Sequence, residues 1–156
     1  MKYSFLNTIK TMVLFSVLFL TGSCALKSIP SEYNFVKTDF KITDLNKLGN
    51  GKILIYNGAD FLHKVDNTAR LNIWINDRPL GQLRGSEYVV IDLKNGVYKF
   101  KVLHIDMFNM KSTHEIEIDD KTKVIRVKPT LTSNKLTITN ELPKNFGKFS
   151  YPKIRS

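Results

Sequence analysis

The stretch "YVVIDLKNGVYKFKV" (Tyr88 to Val102) places Val89, Ile91 and Leu93 on one side of an alternating run. Tyr98, Phe100 and Val102 fall on one side of a second run, with lysines between them. Alternation with a period of two is the pattern of a strand with one face buried. Between the runs, "KNG" (Lys94 to Gly96) carries an Asn-Gly pair, whose backbone freedom favours a tight hairpin turn. The spacing therefore predicts two strands joined as a hairpin.

The neighbouring sequence repeats the theme. "KILIYN" (Lys52 to Asn57) is apolar on both faces, as in a strand covered on both sides. "RLNIWIN" (Arg70 to Asn76) alternates Leu71, Ile73 and Ile75 against Asn72 and Trp74. "THEIEI" (Thr113 to Ile118) and "KVIRV" (Lys123 to Val127) read as a pair joined by "DDKT", and "KLTITN" (Lys135 to Asn140) comes last. No run carries the stripe of a normal helix. Seven short strands with polar turns predict an all-β chain, a single antiparallel β-sandwich over residues 51–142.

"NDRPLGQL" (Asn76 to Leu83), followed by "GSEYVVIDLKNGVYKFKV" (Gly85 to Val102), resembles the PEGA-type β domain of small bacterial envelope lipoproteins. Asp77, Gly81, Gly96 and Tyr98 occupy positions of that pattern. Arg78 replaces its turn glycine, and "LKNG" its Pro-rich turn. The resemblance covers about residues 51–142 and implies a β-sandwich on an envelope lipoprotein. It brings no catalytic residues, and turn geometry alone explains the matched glycines and Asp77.

The N-terminus points to the same compartment. Lys2 and Lys10 precede "TMVLFSVLFL" (Thr11 to Leu20), and small residues follow. The apolar run is shorter than the ~20 residues of a membrane-spanning helix and matches a secretory signal peptide. Thr21, Gly22, Ser23 and Cys24 resemble a bacterial lipobox, although Thr21 stands where that family usually has leucine. The resemblance implies cleavage between Ser23 and Cys24, with diacylglycerol and palmitate-type acyl chains on Cys24. A thiol is the nucleophile the thioether requires, and small neighbours give the peptidase access.

Ordinary cleavage leaving a free thiol, or an uncleaved anchor, are the alternatives. A free thiol is a liability in an oxidising compartment. Cys24 is the only cysteine, so the chain has no internal disulfide and no Cys-x-x-Cys. Ala25 stands where an aspartate commonly retains lipoproteins at the inner membrane. The expected site in a Gram-negative cell is the outer membrane, facing the periplasm. Residues 1–23 are then the signal peptide and 24–50 a lipid-anchored tether. Taken as flexible coil, 25–50 would span about 28 Å, although Phe35, Val36, Phe40 and Ile42 suggest that part of it lies against the domain, for instance as an edge strand.

Chemistry is sparse. His63, His104 and His114 form no H-E-x-x-H, and there is no Gly-rich phosphate loop or G-x-S-x-G. If Asp106 to Lys111 is a hairpin tip, strand parity puts His104 and His114 on the apolar face. Two histidines closing the end of a core explain this better than a metal site lacking a third ligand. Glu115 and Glu117 are the solvated face of a strand, and Asp119 and Asp120 head a turn. The expectation is no catalytic residue, no metal and no cofactor.

Three features are candidates for binding. Trp74, Tyr88 and Val90 fall opposite the main core, either as an exposed aromatic patch or as a second buried face under the tether. Met107, Phe108 and Met110 surround a hairpin tip that reaches a membrane or partner, or folds back over the sandwich. The tail "PKNFGKFSYPKIRS" (Pro143 to Ser156) interleaves Lys144, Lys148, Lys153 and Arg155 with Phe146, Phe149 and Tyr151, and has no acidic residue. Its alternatives are a disordered terminus or a binder of anions. The whole chain carries a net charge of +10, which favours anionic partners. Secretion excludes nucleic acid and leaves lipid headgroups, lipopolysaccharide or wall polymers.

The function these features predict is non-enzymatic. A lipid-anchored β module binds or supports an envelope protein; the alternative is a polyanion binder acting through the tail. An enzyme using His104 and His114 is the remote third.

Overall fold

The computed structural model describes residues 26–36, 45–60, 69–106 and 108–152. They form a β-sandwich of two four-stranded sheets. The strands are β1 (Lys52–Asn57), β2 (Leu71–Ile75), β3 (Arg78–Leu83), β4 (Tyr88–Asp92), β5 (Gly96–Ile105), β6 (Asn109–Ile118), β7 (Val124–Pro129) and β8 (Asn134–Ile138). One sheet runs β4-β1-β7-β8 and the other β3-β2-β5-β6. All neighbours are antiparallel except β1 and β7, which run parallel.

The core lies where alternation predicts. Ile53, Ile55, Val89, Ile91, Ile125 and Val127 meet Leu71, Ile73, Ile75, Phe100, Val102 and Ile118 between the sheets. Leu54, Tyr56, Tyr88, Val90 and Val124 face the other way and are buried too. β1 is therefore covered on both faces, as "KILIYN" implied. Its outer cover combines Val36, Leu45 and Leu48 with Leu142, Phe146, Phe149 and Tyr151 from the tail.

Several sequence expectations need correction. Asn95-Gly96 does not close a hairpin: β4 and β5 belong to different sheets, and the pair marks the corner where the chain crosses. Gly96 has φ +151°, but Asn95 is not left-handed, so the turn that prefers Asn-Gly is absent. "DDKT" is likewise a crossing, from β6 to β7, not a hairpin loop. The two corners touch, because Asn95 Nδ2 donates to Asp120 Oδ1 at 2.9 Å.

The tight hairpin lies instead between β2 and β3. Asn76 (φ 49°) and Asp77 (φ 66°) both take the left-handed backbone that a two-residue turn of this kind needs. The strand beyond it, β3, is the eighth, absent from the seven expected. Pro79 and Gly81 hide it in the sequence, and both are tolerated because β3 is an edge strand with a bulge opposite Ile73 and Trp74.

Residues 26–36 are a packed strap rather than a coil. Glu32 N donates to Pro79 O (3.0 Å) at the β3 edge, and Val36 N donates to Val90 O (2.9 Å) at the β4 edge. Tyr33 Oη donates to Ile75 O at 3.2 Å, and the Arg78 guanidinium lies 4.3 Å from the Tyr33 ring centre. Gly81, at φ +112°, faces Ser31 and Ile29 of this strap. Such contacts close edges that would otherwise invite strand addition.

One corner gives the fold an acid-sensitive contact. Asp119 Oδ1 accepts from Thr122 Oγ1 (2.8 Å) and from Lys121 N (3.0 Å). The Thr122 hydroxyl, more than any other group, holds the Asp119 carboxyl below its usual range. The folded pKa lies below the unfolded one, so this contribution is complete above about pH 4 and is lost as pH falls through the lower folded value. Asp119→Asn should flatten part of the acid limb of stability, read as urea midpoints at falling pH.

Candidate functional site

Alternation along β7 points Arg126 outward, beside Tyr56 of β1 and Thr137 of β8. The aromatic cover does not close over it. After β8, Asn140 (φ 51°) turns the chain, its Oδ1 accepting from Lys123 N at 2.8 Å. The tail then runs across the sheet to a short 3-10 turn at Phe146–Lys148. Between tail and sheet remains a cleft of about 610 Å³.

Arg126 and Tyr56 line this cleft together with Glu141, Lys144, Lys148 and Phe149. Arg126 Nη2 donates to Gly58 O at 3.3 Å. Its Nε is buried and has no hydrogen-bond partner among the described residues. A Cβ at Gly58 would lie 2.5 Å from that Nε, so the bare glycine is what lets the guanidinium sit here. Burial pushes the Tyr56 phenol above its usual range, against the pull of Arg126, and it stays a protonated donor at neutral pH. Three cations against one carboxylate make the cleft suited to an anionic group.

The aromatic cover is built from the tail. Tyr88 lies 4.8 Å from Phe146 and 4.6 Å from Tyr151 between ring centres; Phe149 meets Tyr56 edge-on at 5.6 Å. Tyr151 Oη donates to Val36 O at 2.7 Å, tying tail to strap. Ser150 adds a backbone bridge at the β4 edge, taking Tyr88 N at 3.1 Å and giving to Ser86 O at 3.1 Å. Residues 143–152 are therefore a packed layer, and their aromatic rings are already engaged.

The predicted aromatic patch divides in two. Tyr88 and Val90 are buried on the outer face of the first sheet under tether and tail together, Tyr88 against Phe146 and Tyr151 and Val90 bonded through its carbonyl to Val36 N. Trp74, half-buried, lies on the outer face of the second sheet, between Pro79 and Lys101. The thickness of the sandwich, about 10 Å between sheets, separates them. Tyr88 and Tyr151 do come together, while Lys148 is exposed at the cleft rim.

Phe108 is 70% exposed at the turn between β5 and β6. Met110 is half-buried, and Met107 lies outside the described residues, as do Ser23, Cys24 and His63. His104 and His114 share the core face but not one place. His114 pairs with Phe100, four positions from His104, or roughly 13 Å along the strand. His104 is fully buried, with Nδ1 2.8 Å from Asn134 Oδ1. Asn134 Nδ2 donates to Val102 O and Met110 O, so the amide oxygen faces the ring and Nδ1 carries the proton. His114 Nε2 lies 3.0 Å from Ser112 Oγ.

Among the described residues no three His, Cys, Asp or Glu side chains gather, and no helix is long and apolar enough to cross a membrane. Arg126 and Glu141 escaped the sequence reading. The one available signal was an arginine facing outward from a strand paired with one buried on both faces. No family model matches the chain, and neither a curated protein nor a solved structure does.

Proposed function

We propose that this chain is a lipid-anchored, non-enzymatic binding module of a bacterial cell envelope, similar to the PEGA-type lipoproteins. Cys24 carries the acyl chains and the sandwich receives an acidic group of an envelope protein in the cleft. In a Gram-negative cell it sits on the outer membrane and faces the periplasm. The observation that supports the binding role most is the cleft itself, with Arg126 on its floor and Lys144 and Lys148 at its rim.

A second reading takes the anion from lipopolysaccharide or a wall polymer. The exposure of both rim lysines favours it. The two readings separate in one experiment. A photo-crosslinking side chain at Asn145 should capture a specific protein in cells, and Arg126→Glu should reduce that capture at least about tenfold, in line with reversing a charge in a partly desolvated contact. Capture of polymer alone, released by high salt, supports the second reading. Capture unchanged in Arg126→Glu removes the cleft from both.

A further inference from the structure

We propose that the outer face of the β3-β2-β5-β6 sheet rests on the lipid surface that holds Cys24, an inference that depends on the reading of Cys24 as acylated. The strap starts on this face. Gln82 Nε2 donates to Leu26 O (3.1 Å) and to Asn72 Oδ1 (3.0 Å), and Asn72 Nδ2 donates to Lys27 O (2.9 Å). Asn72, Gln82 and Leu26 are all buried by these contacts. Consecutive Cα atoms lie 3.8 Å apart, so covalent geometry keeps Cys24 within about 8 Å of Leu26. The anchor therefore has two residues of slack, not a coil of 28 Å scale.

The face it would bring to the bilayer has the chemistry of an interface. Trp74 and Leu103 are half-buried on it, with Lys99 and Lys111 exposed and Lys101 beside them. Lys101 pairs with Asp77, and Lys101, Lys99 and Lys111 all hold the Asp77 carboxyl below its usual range, so their charges converge. Along β6, Glu115 stands opposite Lys99 and Glu117 opposite Val97, whereas Lys111 stands opposite Leu103 and Thr113 opposite Lys101, so the end carrying Lys101 and Lys111 has no β6 carboxylate beside it. The basic end is the one nearer Leu26. Ammonium groups at anionic headgroups, with an indole at the water–lipid boundary, are a favourable arrangement. The opposite face of the sandwich is taken up by the tail layer and the Arg126 cleft.

Trp74 is the only tryptophan in the chain, so its fluorescence reports this face alone. The lipidated protein would be reconstituted in vesicles of phosphatidylcholine and phosphatidylglycerol, with and without brominated acyl chains. Bromine should reduce Trp74 emission roughly twofold, as for an indole at the interface. Lys99→Glu/Lys111→Glu should restore most of the emission while the protein stays on the vesicles. High salt should restore it in the unaltered protein, a control independent of how the variant folds. Vesicle-bound protein with Trp74 indifferent to bromine overturns the docking and leaves the anchoring intact. Shielding of Trp74 only when envelope proteins are added gives the face to a protein and overturns it as well. Purified protein with no lipid on Cys24 removes the anchoring reading and the inference together.

Discussion

Asn57→Ala should cost the sandwich about 3–5 kcal/mol, a large share of the 5–15 kcal/mol that holds a typical domain folded. Asn57 ends β1 and is fully buried. Its Nδ2 donates to Ala69 O and Leu83 O, and its Oδ1 accepts from Ala59 N at 3.0 Å. One amide thus ties the first sheet to the entry of β2 and the exit of β3 in the second. Alanine leaves two carbonyls and one N–H buried without those partners, at about 1–3 kcal/mol each before relaxation. The loss should appear as a lower urea midpoint with an unchanged slope. Asn50→Gly is the contrasting case, since Asn50 is exposed and glycine also takes its left-handed backbone (φ 49°). A midpoint unmoved by Asn57→Ala would mean that the two sheets do not depend on this amide.

Cys24→Ser should move the protein from the membrane fraction to the soluble one. The serine hydroxyl cannot supply the thioether. Each lost acyl chain of ordinary length removes roughly a dozen buried CH₂ groups, or ~10 kcal/mol of membrane affinity. Lysines on a sheet face cannot replace that, and salt screens them. Among the described residues the strap is held from Leu26 onward by contacts that do not involve Cys24, so the released protein should keep its melting temperature. Fractionation after a high-salt wash, with a thermal melt of the soluble form, reads both. Retention of Cys24→Ser on washed membranes would point to a different anchor.

Much of the fold is legible in the sequence because alternation follows from the pleat itself. "KILIYN" announces a strand buried on both faces, and β1 is one. Which strands share a sheet is less visible. Asn95-Gly96 has the composition of a hairpin turn but serves as a crossing, since local chemistry permits a turn without naming the partner strand. β3 is concealed by Pro79 and Gly81, residues that suit an edge and a bulge yet count against a strand in isolation.

The cleft was less legible than the fold. It joins Tyr56 and Gly58 to Arg126, Glu141 and Lys148, distant parts of the chain that line one cleft because β1 pairs with β7 and the tail folds back across them. The basic-aromatic spacing of the tail was visible, but not that Phe146, Phe149 and Tyr151 pack inward and leave Lys148 at the rim. Parity placed Trp74 and Tyr88 correctly away from the core. It could not show that they leave it on opposite sides.

The intact mass of the N-terminal peptide, taken from protein purified from its own membranes, distinguishes a lipoprotein from an unlipidated chain. The mature chain should begin at Cys24 and carry diacylglycerol in thioether linkage. A chain beginning elsewhere, or a Cys24 with a free thiol, would contradict the lipoprotein reading.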